Sequence, residues 1–165
     1  MNEKLKNVKC FLLDMDGTVY LGNRLIDGAV DAVGRMNAFS HAMFLTNNSS
    51  AARSDYEAKL KGMGFDVTED DVFTSGNATV EYLSSHYAGK KIFLFGNANL
   101  RAEFERGGIT LTETEPDLAV VGFDTTFDYP RLEKLCDFIR NGVPYITTHA
   151  DINCPKEGGM KPDVG

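Results

Sequence analysis

No apolar run in this chain approaches the roughly 20 residues that a membrane-spanning helix needs, so no membrane partner is expected. Cysteine is scarce: Cys10, Cys136 and Cys154 lie far apart and show no metal-ligand pairing. They read as small buried apolar residues rather than as a disulfide framework. Positive charge is in deficit, with 17 Lys and Arg against 24 Asp and Glu and a net charge of −7. That balance argues against nucleic acid or an anionic bilayer as partner. It leaves a phosphorylated small molecule open, because a bound cation inverts the local field. The amino terminus, Met-Asn-Glu-Lys-Leu-Lys-Asn, runs directly into a first strand, which argues against a cleaved signal peptide and for a cytoplasmic protein.

What the chain does have is concentrated at Cys10-Phe11-Leu12-Leu13-Asp14-Met15-Asp16-Gly17-Thr18. A short apolar run, too brief for a helix, reads as a buried strand and stops at two carboxylates separated by one residue. Extended backbone turns alternate side chains to the same side, so Asp14 and Asp16 are expected to face one small volume beyond the strand. Two anions so close call for a cation or a shared proton. The arrangement suits in-line attack on phosphorus, with Asp14 as nucleophile and Asp16 as general acid and base. Gly17 lets the chain turn and frees backbone N–H groups for phosphate oxygens. On local grounds a β-hairpin competes, since Asp-Gly between apolar stretches is a hairpin signal. A calcium loop fits poorly, because Val19 and Leu25 stand where Gly and Glu are required.

Downstream, Asp27 is expected to cap a helix carrying Val30, Val33 and Met36, and Ala42-Met43-Phe44-Leu45 forms a second short strand ending at Thr46. Strand, crossover helix and strand make a parallel pair, and ligands collect beyond the carboxyl ends of such strands. Thr46 and Asn47 are thereby expected beside Asp14. Thr-Asn-Asn-Ser-Ser also reads as turn and helix-cap chemistry.

Asp14-Met15-Asp16-Gly17-Thr18 resembles the first motif of the haloacid dehalogenase superfamily, and Phe44-Leu45-Thr46-Asn47-Asn48-Ser49-Ser50 its second. Together they resemble the NagD-like, para-nitrophenyl-phosphatase-like branch. The resemblance implies an α/β fold: a Rossmannoid parallel-sheet core, of which only the amino-terminal part is present, plus a smaller α/β cap domain. It implies a Mg2+-dependent phosphatase acting on a small phosphorylated metabolite through an aspartyl-phosphate. Mg2+ is expected on the Asp14 carboxylate and the Asp16 backbone carbonyl. Thr46, Asn47, Met15 and Gly17 are expected to bind the phosphoryl group, while Asn48, Ser49 and His149 are candidate substrate contacts. Association of copies through the cap is left open. So is the alternative of a non-catalytic phosphate-binding module built on the same fold.

The rest of the chain reads as further βα units. Helices are expected near 51–63, 77–87, 100–106 and 129–140, with strands at Val72-Phe73, 92–95, 109–112, 118–124 and 144–148. The flap Val19–Ile26 reads as a hairpin turning at Gly22-Asn23. Arg53 reads as a solvated surface cation and His86 as a surface residue. The second series carries no Asp-x-Asp pair, so residues 1–79 are assigned to the catalytic core and 80–165 to the cap. Lys161-Pro162 superficially resembles the family's third motif but falls where the branch is still in its cap, and the fourth-motif carboxylate is absent. A core with only two or three strands leaves a sheet edge unpaired. The expectation is a partial chain with weak or no activity by itself.

Overall fold

The computed structural model describes residue 5, residues 7–156 and residues 158–165. The amino-terminal stretch on which the signal-peptide reading rests lies largely outside them. The chain divides into two compact units: Met1–Thr46, Arg53–Phe73 and Pro155–Lys161 form the first, and Asn47–Ala52, Thr74–Cys154 and Pro162–Gly165 the second. None of the described helices is long and apolar enough to cross a membrane.

In the first unit, β1 (Cys10–Asp14) lies parallel to β4 (His41–Thr46), and β5 (Val72–Thr74) completes a sheet of order β1-β4-β5. Between β1 and β4 come the hairpin of β2 (Tyr20–Leu21) and β3 (Arg24–Leu25) and then α1 (Ala29–Asn37). The crossover expected from the sequence is therefore present. Helix α1 starts differently from expectation: its amino-terminal cap is Gly28 in the left-handed region (φ 80°), with no side-chain cap hydrogen bond, so Asp27 does not cap it. Glycine adopts that conformation at little cost. Helix α2 (Arg53–Gly62) and a capped 3-10 turn at Glu69–Asp71 follow. Phe44, fully buried, packs edge-on against Phe65 at 5.5 Å between ring centroids.

The reading of β1 as a buried strand needs correction. Leu12 is 63% exposed and Cys10 is exposed, because β1 is the last strand of its sheet and its outer side has no neighbour among the described residues. Cys136 and Cys154 are half-buried, so none of the three cysteines is a fully buried core residue.

The second unit is built on a four-stranded sheet of order β7-β6-β8-β9, formed by β6 (Lys91–Phe95), β7 (Thr110–Leu111), β8 (Leu118–Val121) and β9 (Tyr145–Thr147), all parallel. Its helices are α3 (Ser75–His86), α4 (Ala98–Arg106) and α5 (Tyr129–Arg140). Strand β6 shows why its sequence is continuously apolar. Ile92 and Leu94 join Leu83, Leu100 and Phe104 on one face, while Phe93 and Phe95 join Leu135 on the other. A parallel strand covered on both faces has no polar side to present. Helix α3 packs against α4, and its residue Leu83 enters this core. After β9 comes a pair absent from the sequence reading, β10 (Asn153–Lys156) and β11 (Gly159–Pro162).

Burial separates two apolar positions of the first sheet. Phe44→Ala should cost about 3–5 kcal/mol, whereas Leu12→Ala should stay within roughly 0.5 kcal/mol, as at other surface positions. Urea unfolding followed through the signals of β4 checks the difference, and equal losses would contradict the packing described.

Candidate functional site

Register brings the two motif-bearing strands to a common end. Asp14, the last residue of β1, is paired with Leu45, one residue before Thr46 at the end of β4. Beyond Asp14 the chain folds into a tight turn. The Met15 carbonyl accepts from the N–H groups of Thr18 (3.2 Å), Val19 (3.0 Å) and Tyr20 (3.3 Å), while Gly17 N–H donates to the Tyr20 carbonyl at 2.7 Å. Gly17 has φ 88°, which a side chain would make costly. The turn thus engages the amide of Gly17, which the sequence reading assigned to phosphate. The Thr18 hydroxyl donates to Asp14 Oδ2 at 3.0 Å and so orients the exposed carboxylate. The Met15 side chain is fully buried and serves as packing beneath the turn.

Asp16 sits half-buried in a cluster that the motif alone did not reveal. Burial pushes its carboxyl above the usual range, and the Asp14 charge adds to that effect. Lys59, Lys161 and a hydrogen bond from Tyr20 oppose it. Lys59 Nζ lies 3.6 Å from the centre of the Tyr20 ring, a cation-π contact. Burial lowers the Lys59 pKa, partly offset by the Asp16 charge. Tyr56 is buried and hydrogen-bonded to Thr46, and desolvation raises its pKa so that it remains a neutral phenol. Thr46, only 7% exposed, is thus tied to Tyr56, whose phenol also feels the Asp16 charge. The overlooked signal was the i, i+3 placement of Tyr56 and Lys59 beside Leu60, a lysine bordering the apolar face of α2.

Asn47, Asn48, Ser49 and His149 belong to the second unit. The Asn47 amide donates to Asp151 Oδ2 at 2.7 Å, and its carbonyl accepts from the Ser75 hydroxyl at 2.5 Å. Asn48 Oδ1 accepts from the Ser50 N–H and hydroxyl at 2.8 and 2.7 Å, a local turn. Ser49 is 1% exposed. The His149 ring is 5% exposed and lies 2.7 Å from the Asp163 carboxylate. Arg53 pairs with Asp70 at 3.6 Å on the surface, and His86 stacks on Tyr82 there, as expected for both.

Among the described residues no group of three or more His, Cys, Asp or Glu side chains could hold a metal ion. The Asp14 carboxylate and the Asp16 carbonyl are hard oxygen donors. Such a partial set fits Mg2+, which commonly keeps several waters and binds through one or two carboxylates plus substrate phosphate.

The raised Asp16 pKa has a consequence for stability. Folding favours the protonated carboxyl, so the ionised form present above the folded pKa opposes folding. With a chelator present, Asp16→Asn should raise the thermal midpoint at neutral pH. The difference should vanish as pH falls and the wild-type carboxyl becomes neutral itself. A lower midpoint for the variant at neutral pH would contradict this environment.

Comparison with known proteins supplies the context. A family model described as haloacid dehalogenase-like hydrolase matches residues 11–110. The acid sugar phosphatase of Staphylococcus saprophyticus is 35% identical over 164 residues, covering 98% of this chain and 63% of that protein. Among solved structures, a protein named for nagD is 42% identical with a TM-score of 0.92, covering 100% of this chain and 64% of its own. A 4-nitrophenylphosphatase from Thermotoga maritima is also 42% identical, with a TM-score of 0.91 and coverage of 98% and 62%. A glycerol phosphate phosphatase from Mycobacterium tuberculosis, solved with magnesium, is 30% identical with a TM-score of 0.90 and coverage of 100% and 51%. The chain thus spans about 63% of the length of the acid sugar phosphatase it matches. With both motif strands inside the matched region, the chain belongs to the haloacid dehalogenase-like hydrolase family, in its NagD-like branch.

Proposed function

We propose that the protein represented by this chain is a cytoplasmic Mg2+-dependent phosphatase that hydrolyses small phosphomonoesters through an aspartyl-phosphate on Asp14. The observation that carries the reading is the shared carboxyl end of β1 and β4, with Asp14 closing one strand, Asp16 in the turn just beyond it, and Thr46 closing the other. Names of the relatives agree on phosphomonoester hydrolysis and differ in substrate: acid sugar, 4-nitrophenyl and glycerol phosphates.

In this reading an Asp14 carboxylate oxygen attacks phosphorus, forming the acyl-phosphate bond as the ester P–O bond breaks. Asp16, kept protonated to higher pH by burial, delivers its proton to the leaving alkoxide. The resulting carboxylate then takes a proton from water, whose oxygen attacks the same phosphorus and releases Asp14 with inorganic phosphate. Thr18 holds the nucleophile through its hydroxyl. Thr46 presents a hydroxyl to a phosphoryl oxygen, with Tyr56 fixing its rotamer. Met15 and Asn47 complete the phosphate contacts, through the Met15 backbone and the Asn47 amide, while the Gly17 N–H is taken by the Tyr20 carbonyl. Mg2+, when bound at the Asp14 carboxylate and the Asp16 carbonyl, supplies charge neutralisation for the phosphoryl oxygens.

A non-catalytic phosphate-binding module is the second reading.

The test uses the protein encoded by the complete reading frame, assayed with Mg2+ on sugar, nucleotide, glycerol and pyridoxal phosphates. Turnover of at least one of these is expected, and Asp14→Asn should reduce kcat by about a thousandfold or more while leaving the fold intact. Undiminished turnover by the variant would discard Asp14 as nucleophile. Phosphate binding with no turnover in the wild type would favour the second reading.

A further inference from the structure

In open α/β sheets ligands collect where strand order reverses, beyond the carboxyl ends of the two strands that diverge. The second unit has such a point. From β6 the chain passes through α4 to β7 on one side, and from β8 through α5 to β9 on the other, so the reversal lies between β6 and β8. What occupies it is the chain itself. Ser49 Oγ accepts from the Phe123 N–H just beyond β8 at 3.0 Å and from the Thr148 hydroxyl just beyond β9 at 3.1 Å. The Ser50 carbonyl accepts from the Asn97 and Asn99 side-chain amides beyond β6, at 2.7 and 3.1 Å. The approach is close: a Cβ on Gly122 would lie 3.2 Å from Ser49 Oγ, besides pressing on Leu100 Cδ2 at 2.4 Å.

Behind this contact runs a buried polar chain. Thr148 Oγ1 lies 3.0 Å from His149 Nδ1, and His149 Nε2 lies 2.7 Å from Asp163 Oδ1. Asp163 Oδ1 also accepts from the Val164 N–H at 2.9 Å. Both side chains are nearly sealed, at 5% exposure for His149 and 7% for Asp163. A buried network of this kind holds its members in one arrangement when every link is satisfied.

We propose that the reversal point of the second sheet is a receptor for the chain's own Asn48–Ser50 turn, and that Ser49, Thr148 and His149 are positioning residues that set the placement of Asn47. The unit does not offer its crevice to a separate ligand. It uses the crevice to hold the segment that directly follows Thr46. The consequence for turnover rests on the phosphatase reading, whereas the receptor itself does not.

Hydrogen exchange and kinetics test the two parts separately. In this chain, Ser49→Ala and Thr148→Val should each speed amide exchange in residues 47–52 and 122–124 by about tenfold, the loss of roughly one hydrogen bond. Helix α5 should keep its wild-type exchange, and Thr148→Ser, which retains the hydroxyl, should restore protection. His149→Ala should show the same loosening, weaker because it acts through Thr148. In the protein from the complete reading frame, Thr148→Val should lower kcat more than it raises KM, with Thr148→Ser again restoring the value. Unchanged exchange at residues 47–52 in both Ser49→Ala and Thr148→Val overturns the proposal whatever the turnover assay returns. Faster exchange beside unaltered turnover upholds the receptor and counts against a phosphoryl role for Asn47.

Discussion

The parallel pairing of β1 with β4 is the constraint from which the rest of the first unit follows. The crossover through α1 carries the chain back so that both strands point the same way and their carboxyl ends meet. The register then matters residue by residue. Pairing Asp14 with Leu45 sets Thr46 and Asp16 one and two positions beyond the paired ends. A slip of one residue would turn the side chains of β4 to the opposite faces, taking Phe44 out of its contact with Phe65. The hydrophobic register and the polar constellation are one choice, made by the same alternation along the strand.

Around that constellation the electrostatics are arranged by burial more than by charge pairing. Asp16 is held toward its protonated form by desolvation, against two lysines and a tyrosine hydroxyl. Tyr20 and Tyr56 are kept neutral for the same reason. An acid that must give up a proton and then recover one gains from such an environment, because its protonated state persists to higher pH than in water. The neighbouring Asp14 is exposed and carries its own hydrogen-bond donor, Thr18. Two carboxylates separated by one residue thus meet different surroundings, which is what different chemical roles require.

Much of this was legible in the amino-acid sequence, and the reasons differ between elements. The run Ile92-Phe93-Leu94-Phe95 reads as a strand, and β6 is one, covered on both faces. The run in β1 looked alike and behaves otherwise, because burial depends on a neighbour that local sequence cannot reveal. Asp27 looked like a helix cap, yet Gly28 in a left-handed conformation takes that place. Helix α3 carries apolar residues such as Leu83 for a core whose strands come later in the chain. Asp14, Asp16 and Thr46 could be found because motif spacing is local. Tyr20, Tyr56 and Lys59 could not be so found, since their meeting around Asp16 is a product of three-dimensional packing. The contact of buried Ser49 with Thr148 likewise joins residues 99 positions apart.

The central claim is that two strand ends gather the groups for attack on a single phosphorus atom. A crystal structure of the protein from the complete reading frame, grown with Mg2+ and beryllium fluoride, tests it most directly. The account predicts the fluoride mimic covalently placed on an Asp14 carboxylate oxygen, with the Thr46 hydroxyl in hydrogen-bond contact with a fluorine and the cation shared with the Asp16 carbonyl. A mimic bound away from Asp14, or Asp14 and Thr46 opening onto separate spaces in that complex, would contradict it.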